Sequence, residues 1–222
     1  MKVVFKKYWL WVLIFGFDVL LVVLHIYLRK KLGFFDLDKE QNFSSVYSGV
    51  KLFVVATAAG GLSYLALINR HRFESWLWGL AAAGFIFIAF DDMMAIHERI
   101  GFVLNNWTGL GGFYGESFNW MIYFAPFIGL AVLVYAKLIQ LLWQADRTNA
   151  LWMLVGTALF VLSLMSEAVG AKLLLAPRIN TAIYFKEIII EEFFEMAGAT
   201  CFLISTARTF QERFAKTFTR RS

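Results

Sequence analysis

The sequence predicts an all-α fold, a polytopic membrane helical bundle of about six transmembrane helices plus an amphipathic C-terminal helix. Three observations carry this. Hydrophobic residues make up 60% of the chain and its mean hydropathy is +0.65, whereas globular domains are roughly 45–50% apolar. Only 2 prolines interrupt the 222 residues, and 24 phenylalanines and 8 tryptophans fill them. Six apolar runs, each near the ~20 residues needed to cross a ~30 Å hydrocarbon core, are divided by polar breaks.

The runs are 8–28, 50–69, 76–97, 119–141, 151–171 and 187–207. The first follows MKVVFKK, as a signal peptide's core would, but it is too long, carries Asp18 and has no small-x-small cleavage pattern. "RHRFES" parts the second run from the third, and "WQADRTNA" the fourth from the fifth. The longer joins are 29–49, 98–118 and 172–186. Small residues, Ala56 and Gly60 in the second run and Gly79 and Ala83 in the third, suit close packing of that hairpin on itself, or else a homo-oligomer contact. The third and fifth runs both open near Leu-Trp and reach carboxylates about four turns later, a faint echo of a duplicated hairpin.

Domain organisation follows: a single six-helix transmembrane domain over 1–207 and a basic amphipathic tail over 208–222. In the tail, Phe210, Phe214 and Phe218 step by four, with Arg213, Lys216, Arg220 and Arg221 on the other faces. This suits a helix at the inner membrane surface, held by anionic lipid. An even number of spans puts both termini on one side. Twelve of the 21 basic residues fall there, so the positive-inside rule makes the termini cytoplasmic. Arg29, Lys30 and Lys31 oppose this, but Asp36, Asp38 and Glu40 follow them closely. The net charge of +5 traces largely to the tail and is no nucleic-acid signal. Cys201, the single cysteine, excludes an internal disulfide and any cysteine-rich metal site.

Ionisable groups within a bilayer are costly, so they face the bundle interior or a cavity. Counting residues at 1.5 Å rise places His25, Asp91, Asp92, His97, Glu167, Glu187, Glu191, Glu192 and Glu195 at similar depth in the outer half. Asp18, near the middle, is the main exception. If the third helix runs on through "AFDDMMAIHERIG", Asp91 and Glu98 share one of its faces. The four glutamates of the sixth helix form one stripe, and Ser163 and Gly170 leave room beside Glu167. His71 sits in a short basic loop and reads as solvated.

So much negative charge at one depth needs compensation. Protons can be shared, Arg99, Lys172 and Lys186 can pair, or a metal cation can bind. A divalent Fe, Mn or Zn ion would take Asp91, His97, Glu167, Glu191 and Glu195 as ligands. Asp92, Glu98, Glu192, Glu187 and His25 would then stand behind them or share protons. For His97 and His25 a hydrogen-bonded structural role is the plain alternative.

"FDLDKEQNFSSVYSG", "AFDDMMAIHERIG" and "IIEEFFEMAGA" together resemble a group of uncharacterised bacterial multi-spanning inner-membrane proteins. That group carries an Asp-Glu, four residues, His-Glu pattern and a later Glu-Glu-x2-Glu. The resemblance implies a bacterial inner (plasma) membrane protein and implies no activity. Here Asp92 stands where the pattern has Glu. The three-histidine zinc site of alkaline-ceramidase-like and progestin-receptor-like membrane hydrolases cannot form, because only His25 and His97 lie on that side.

Three functional classes compete. One is a metalloenzyme acting on a lipid or quinone-like substrate. The second is a proton- or cation-coupled carrier. The third is a non-catalytic structural subunit of a membrane complex. Whether the chain is an enzyme is not legible. Its one necessary partner is the lipid bilayer; no nucleic acid is expected.

Overall fold

The computed structural model describes residues 2–37, 42–108, 120–174 and 181–219. Asp38, Glu40, Arg220 and Arg221 lie outside them. Among the described residues there are seven α-helices and no strand. They are α1 (Lys2–Leu28), α2 (Phe43–Ile68), α3 (Arg72–Met94), α4 (Ile96–Thr108), α5 (Trp120–Ala145), α6 (Arg147–Leu174) and α7 (Thr181–Thr219). A single 3₁₀ turn, Gly33–Phe35, follows α1. Helices α1, α2, α3, α5 and α6 are long and apolar enough to cross a membrane. Helix α7 is not among them, because its first half carries the glutamates, yet it runs through the bundle as the sixth long helix.

Three boundaries depart from the sequence expectation. Helix α2 begins seven residues before position 50, at Phe43. The preceding Asn42 accepts the Ser45 amide at 2.9 Å and so caps the helix. Hydropathy passes over this first turn because its serines are polar; they are buried all the same. The third run does not continue to 97, and the join after it is not all loop. Helix α3 stops at Met94 and α4 fills Ile96–Thr108, with Ala95 between them in the left-handed region (φ 51°, ψ 47°). At the C-terminus, no break falls after residue 207. Helix α7 continues for 39 residues, about 58 Å at 1.5 Å rise, far more than the hydrocarbon core requires.

Helices α2 and α3 pack as one antiparallel hairpin and α6 and α7 as another, and α2 lies against α7 to join the two. Helix α1 rests on α7, α5 on α6 and α3, and α4 on α5. The centre is aromatic. Phe202, 2% exposed, has Phe85, Tyr135 and Phe160 around it at ring-centroid distances of 5.0, 5.4 and 5.4 Å.

The small residues of α2 and α3 serve that hairpin in part: Ala56 is buried and a Cβ on Gly79 would lie 3.4 Å from Ser63 of α2. A Cβ on Gly60 would meet nothing within 4 Å, and Ala83 is exposed. Gly156 and Gly198 likewise bring α6 and α7 together. A Cβ on Gly198 would sit 2.6 Å from the Phe160 ring and 3.3 Å from the Gly156 carbonyl oxygen. The α2–α3 contact is made by Ala59, Ala81 and Ala89, all fully or nearly buried, and by Gly49, which abuts Met93.

The path runs up α1, down α2, up α3, back through α5, up α6 and down α7. Both helical ends nearest the termini therefore lie at one end of the bundle. The α1–α2 connection, the α3–α4 corner and the α6–α7 connection lie at the other.

Candidate functional site

The corner at Ala95 organises the far end. Its amide returns to the Asp91 carbonyl at 2.7 Å, closing α3 with a left-handed cap that glycine more often supplies. The Asp91 side chain then bridges the break. Its Oδ1 accepts the His97 amide at 2.7 Å, capping α4, and its Oδ2 accepts His97 Nδ1 at 2.8 Å, fixing the imidazole. Asp91 and Glu98 consequently belong to different helices and do not share a face of one, as a continuous third helix would have required.

The other ring nitrogen, His97 Nε2, lies 3.8 Å from Glu167 Oε1. That same oxygen accepts from Trp120 Nε1 at 2.8 Å, and the Trp120 ring packs against the imidazole with centroids 4.5 Å apart. A chain Asp91–His97–Glu167 thus ties α3, α4 and α6, with α5 supporting it through Trp120. On α7, Glu195 accepts from Ser163 of α6 at 3.3 Å. The space beside Gly170 is occupied: a Cβ there would lie 2.6 Å from the Glu187 carboxylate, which uses the room that glycine leaves.

These groups enclose one cavity of about 160 Å³, in contact with Asp91, Asp92, His97, Glu98, Glu167, Glu187, Glu191, Glu192 and Glu195. Eight are carboxylic acids, supplied by α3, α4, α6 and α7. Among the described residues no Lys or Arg is in the cavity lining, and Arg99, Lys172 and Lys186 are not part of it. The remaining wall is Ser45, Ser48 and Leu52 of α2 with apolar residues of the neighbouring helices.

His25 is not part of this wall. It is fully buried, accepts the Leu37 amide at Nδ1 (2.9 Å) and stacks on Phe185 with centroids 5.2 Å apart. Its work is to hold the connection after α1 against α7.

The metal expectation finds no prebuilt ligand set. Among the described residues, no group of three or more His, Cys, Asp or Glu side chains is placed to hold a metal ion. Both His97 nitrogens already face carboxylates, Asp91 at 2.8 Å and Glu167 at 3.8 Å.

Lys51 escaped the sequence reading. It is 5% exposed, on α2 beneath the cavity. Its Nζ donates to Asp18 Oδ1 at 2.8 Å, to the Met196 carbonyl at 2.8 Å and to Thr200 Oγ1 at 3.2 Å. Thr200 donates in turn to Asp18 Oδ2 at 2.7 Å, and Asp18 is fully buried. Asp92, in the cavity wall, is close enough to act electrostatically on Lys51. The mid-membrane acid is therefore paired, and the pair lies directly below the acidic chamber. Lys51 falls at the edge of the expected second run, 50–69, and so drew no notice as an intramembrane charge. The signal that would have found it is Asn42 as an N-cap, which moves Lys51 nine residues into the helix.

No curated protein and no solved structure matches the chain. The domain of unknown function DUF8692 matches residues 10–209, nearly the whole of the chain, and so covers the α1 ion-pair carboxylate, the cavity and α7 as far as Thr209. The chain belongs to the family defined by this domain, DUF8692.

Proposed function

We propose that this integral membrane protein handles protons and small cations in the acidic cavity, which opens on the side away from the termini. One observation carries this reading: eight carboxylic acids line a single chamber, and among the described residues no lysine or arginine lines it with them. In a low-dielectric surrounding such groups do not all hold bare charge, and something positive must accompany them. The chamber's 160 Å³ is ample for several waters or a hydrated cation, since each water needs about 10–15 Å³ by the same kind of measure. Along one wall His97 is hydrogen-bonded to Asp91 at 2.8 Å and faces Glu167 across 3.8 Å, a gap that a proton crosses by a bridging water. Asp92 is electrostatically coupled to the Lys51–Asp18 pair below, which extends the charged track toward the membrane centre.

The setting that best suits this reading is a bacterial inner membrane with cytoplasmic termini, on the strength of the basic-residue bias. A tightly held Fe, Mn or Zn cofactor, with a lipid or quinone-like substrate, is the competing account. Calorimetric titration of the purified protein with Na⁺, Ca²⁺ and Zn²⁺, in buffers of different ionisation enthalpy, separates them. Proton release coupled to cation uptake, abolished in E191Q/E195Q, is expected. A stoichiometric metal that survives purification and chelation, or no cation uptake between acid and alkaline pH, would overturn the proposal.

A further inference from the structure

The terminal end of the bundle carries a second cavity, of about 530 Å³, between the α2–α3 turn and the last turns of α7. Its lining includes Leu65, Asn69, His71, Glu74, Arg213 and Lys216. Two contacts fasten α7 to the turn and so build the groove. Asn69 Nδ2 donates to Thr217 Oγ1 at 3.2 Å, and Arg213 forms an ion pair with Glu74. Glu74 balances Arg213. Lys216 and His71 then face the groove as additional basic groups, and Arg70 and Arg72 flank it on the turn. His71 is also the N-cap residue of α3 and supplies no side-chain cap, so the positive end of that helix dipole lies at the same place.

The groove also has a depth. Tyr64, Phe73 and Trp76 are 62%, 66% and 72% exposed around this turn, as aromatics are at a membrane–water interface. Phe214 and Phe218 stay half exposed on α7 with rings 4.6 Å apart, while Phe210 is seated over Gly61. A basic recess at headgroup level, bordered by exposed rings and floored by Leu65 and Ala66, has the profile of a lipid site rather than of a site for a soluble anion. We infer that the groove binds the phosphate headgroup of an anionic phospholipid, with Lys216 and His71 on the phosphate and the Phe214–Phe218 ladder beside the glycerol and acyl chains. Bound there, the lipid clamps α7 to the α2–α3 hairpin.

The full-length protein, reconstituted in vesicles of equal phosphatidylglycerol and phosphatidylcholine and then extracted, reports retained lipid by native mass spectrometry. Preferential retention of phosphatidylglycerol is expected, reduced at least about fivefold in K216E, the weight of roughly one basic contact at a membrane surface. Both Lys216 and His71 are exposed, so in lipid-free detergent K216E and H71Q should keep the wild-type unfolding temperature. If K216E lowers it, H71Q decides by the same lipid readout. Equal retention of the two lipids, retention unchanged by both variants, or displacement of the lipid by inorganic phosphate would each overturn the inference.

Discussion

Ala95 holds a left-handed backbone that most L-residues avoid, at roughly 1–2 kcal/mol per residue. The corner survives because Asp91 secures both sides of it. Ala95→Gly is therefore expected to stabilise the protein by about 1 kcal/mol, and Ala95→Val to destabilise it by more, as read from unfolding in denaturing detergent. A destabilised glycine variant would contradict this account of the corner. Lys51 gives a second test. Removing its charge leaves Asp18 buried and unpaired, so K51M is expected to lose about 3–5 kcal/mol. The double variant D18N/K51M should recover part of that, because it removes both charges; equal or greater loss in the double variant would mean that the pair is not the unit. The sequence made most of the cavity residues legible, since bilayer thickness and helical rise alone put Asp91, Glu167 and the α7 glutamates at one depth. It did not reveal the break at Ala95, because alanine is a helix former and carries no turn signal. It misassigned His25, because depth says nothing about which way a side chain faces.

At the scale of elements, the fold depends on how closely α6 and α7 approach. Gly198→Ala would drive a methyl group into the Phe160 ring and against the Gly156 carbonyl, and is expected to cost about 1–3 kcal/mol. Gly60→Ala meets open space and should be neutral or stabilising by up to about 1 kcal/mol. Equal losses in the two variants would remove the α6–α7 crossing as the critical contact. The order of the long helices was legible from the apolar runs, although five of the described helices, without α7, are long and apolar enough to cross a membrane. The crossing glycines were not legible, since α2, α3, α6 and α7 are all rich in small residues and periodicity does not say which partner each one meets. Helix α7 hid its continuity for a related reason. Its composition changes from acidic to apolar to basic along its length, so one helix reads as a span and a tail.

The described molecule has two unlike ends: eight carboxylic acids line a chamber at one, and a basic groove and the helical ends nearest the termini lie at the other. That asymmetry is expected to set the orientation, acidic end outward. Single cysteines introduced at Lys31 and at Ser222 test it with an impermeant thiol reagent in intact cells. Labelling at 31 alone is expected; labelling at 222 alone would reverse the orientation. The central claim, that the acids form one compartment sharing protons which cations displace, is tested most directly by infrared difference spectroscopy of the protein in lipid. On adding cation, the wild type should lose absorbance from protonated carboxyl groups, E191Q and E195Q should each lose less, and their combined effect should be smaller than the sum. A wild-type spectrum with no protonated-carboxyl change on cation addition, or fully additive effects of the two substitutions, would contradict it.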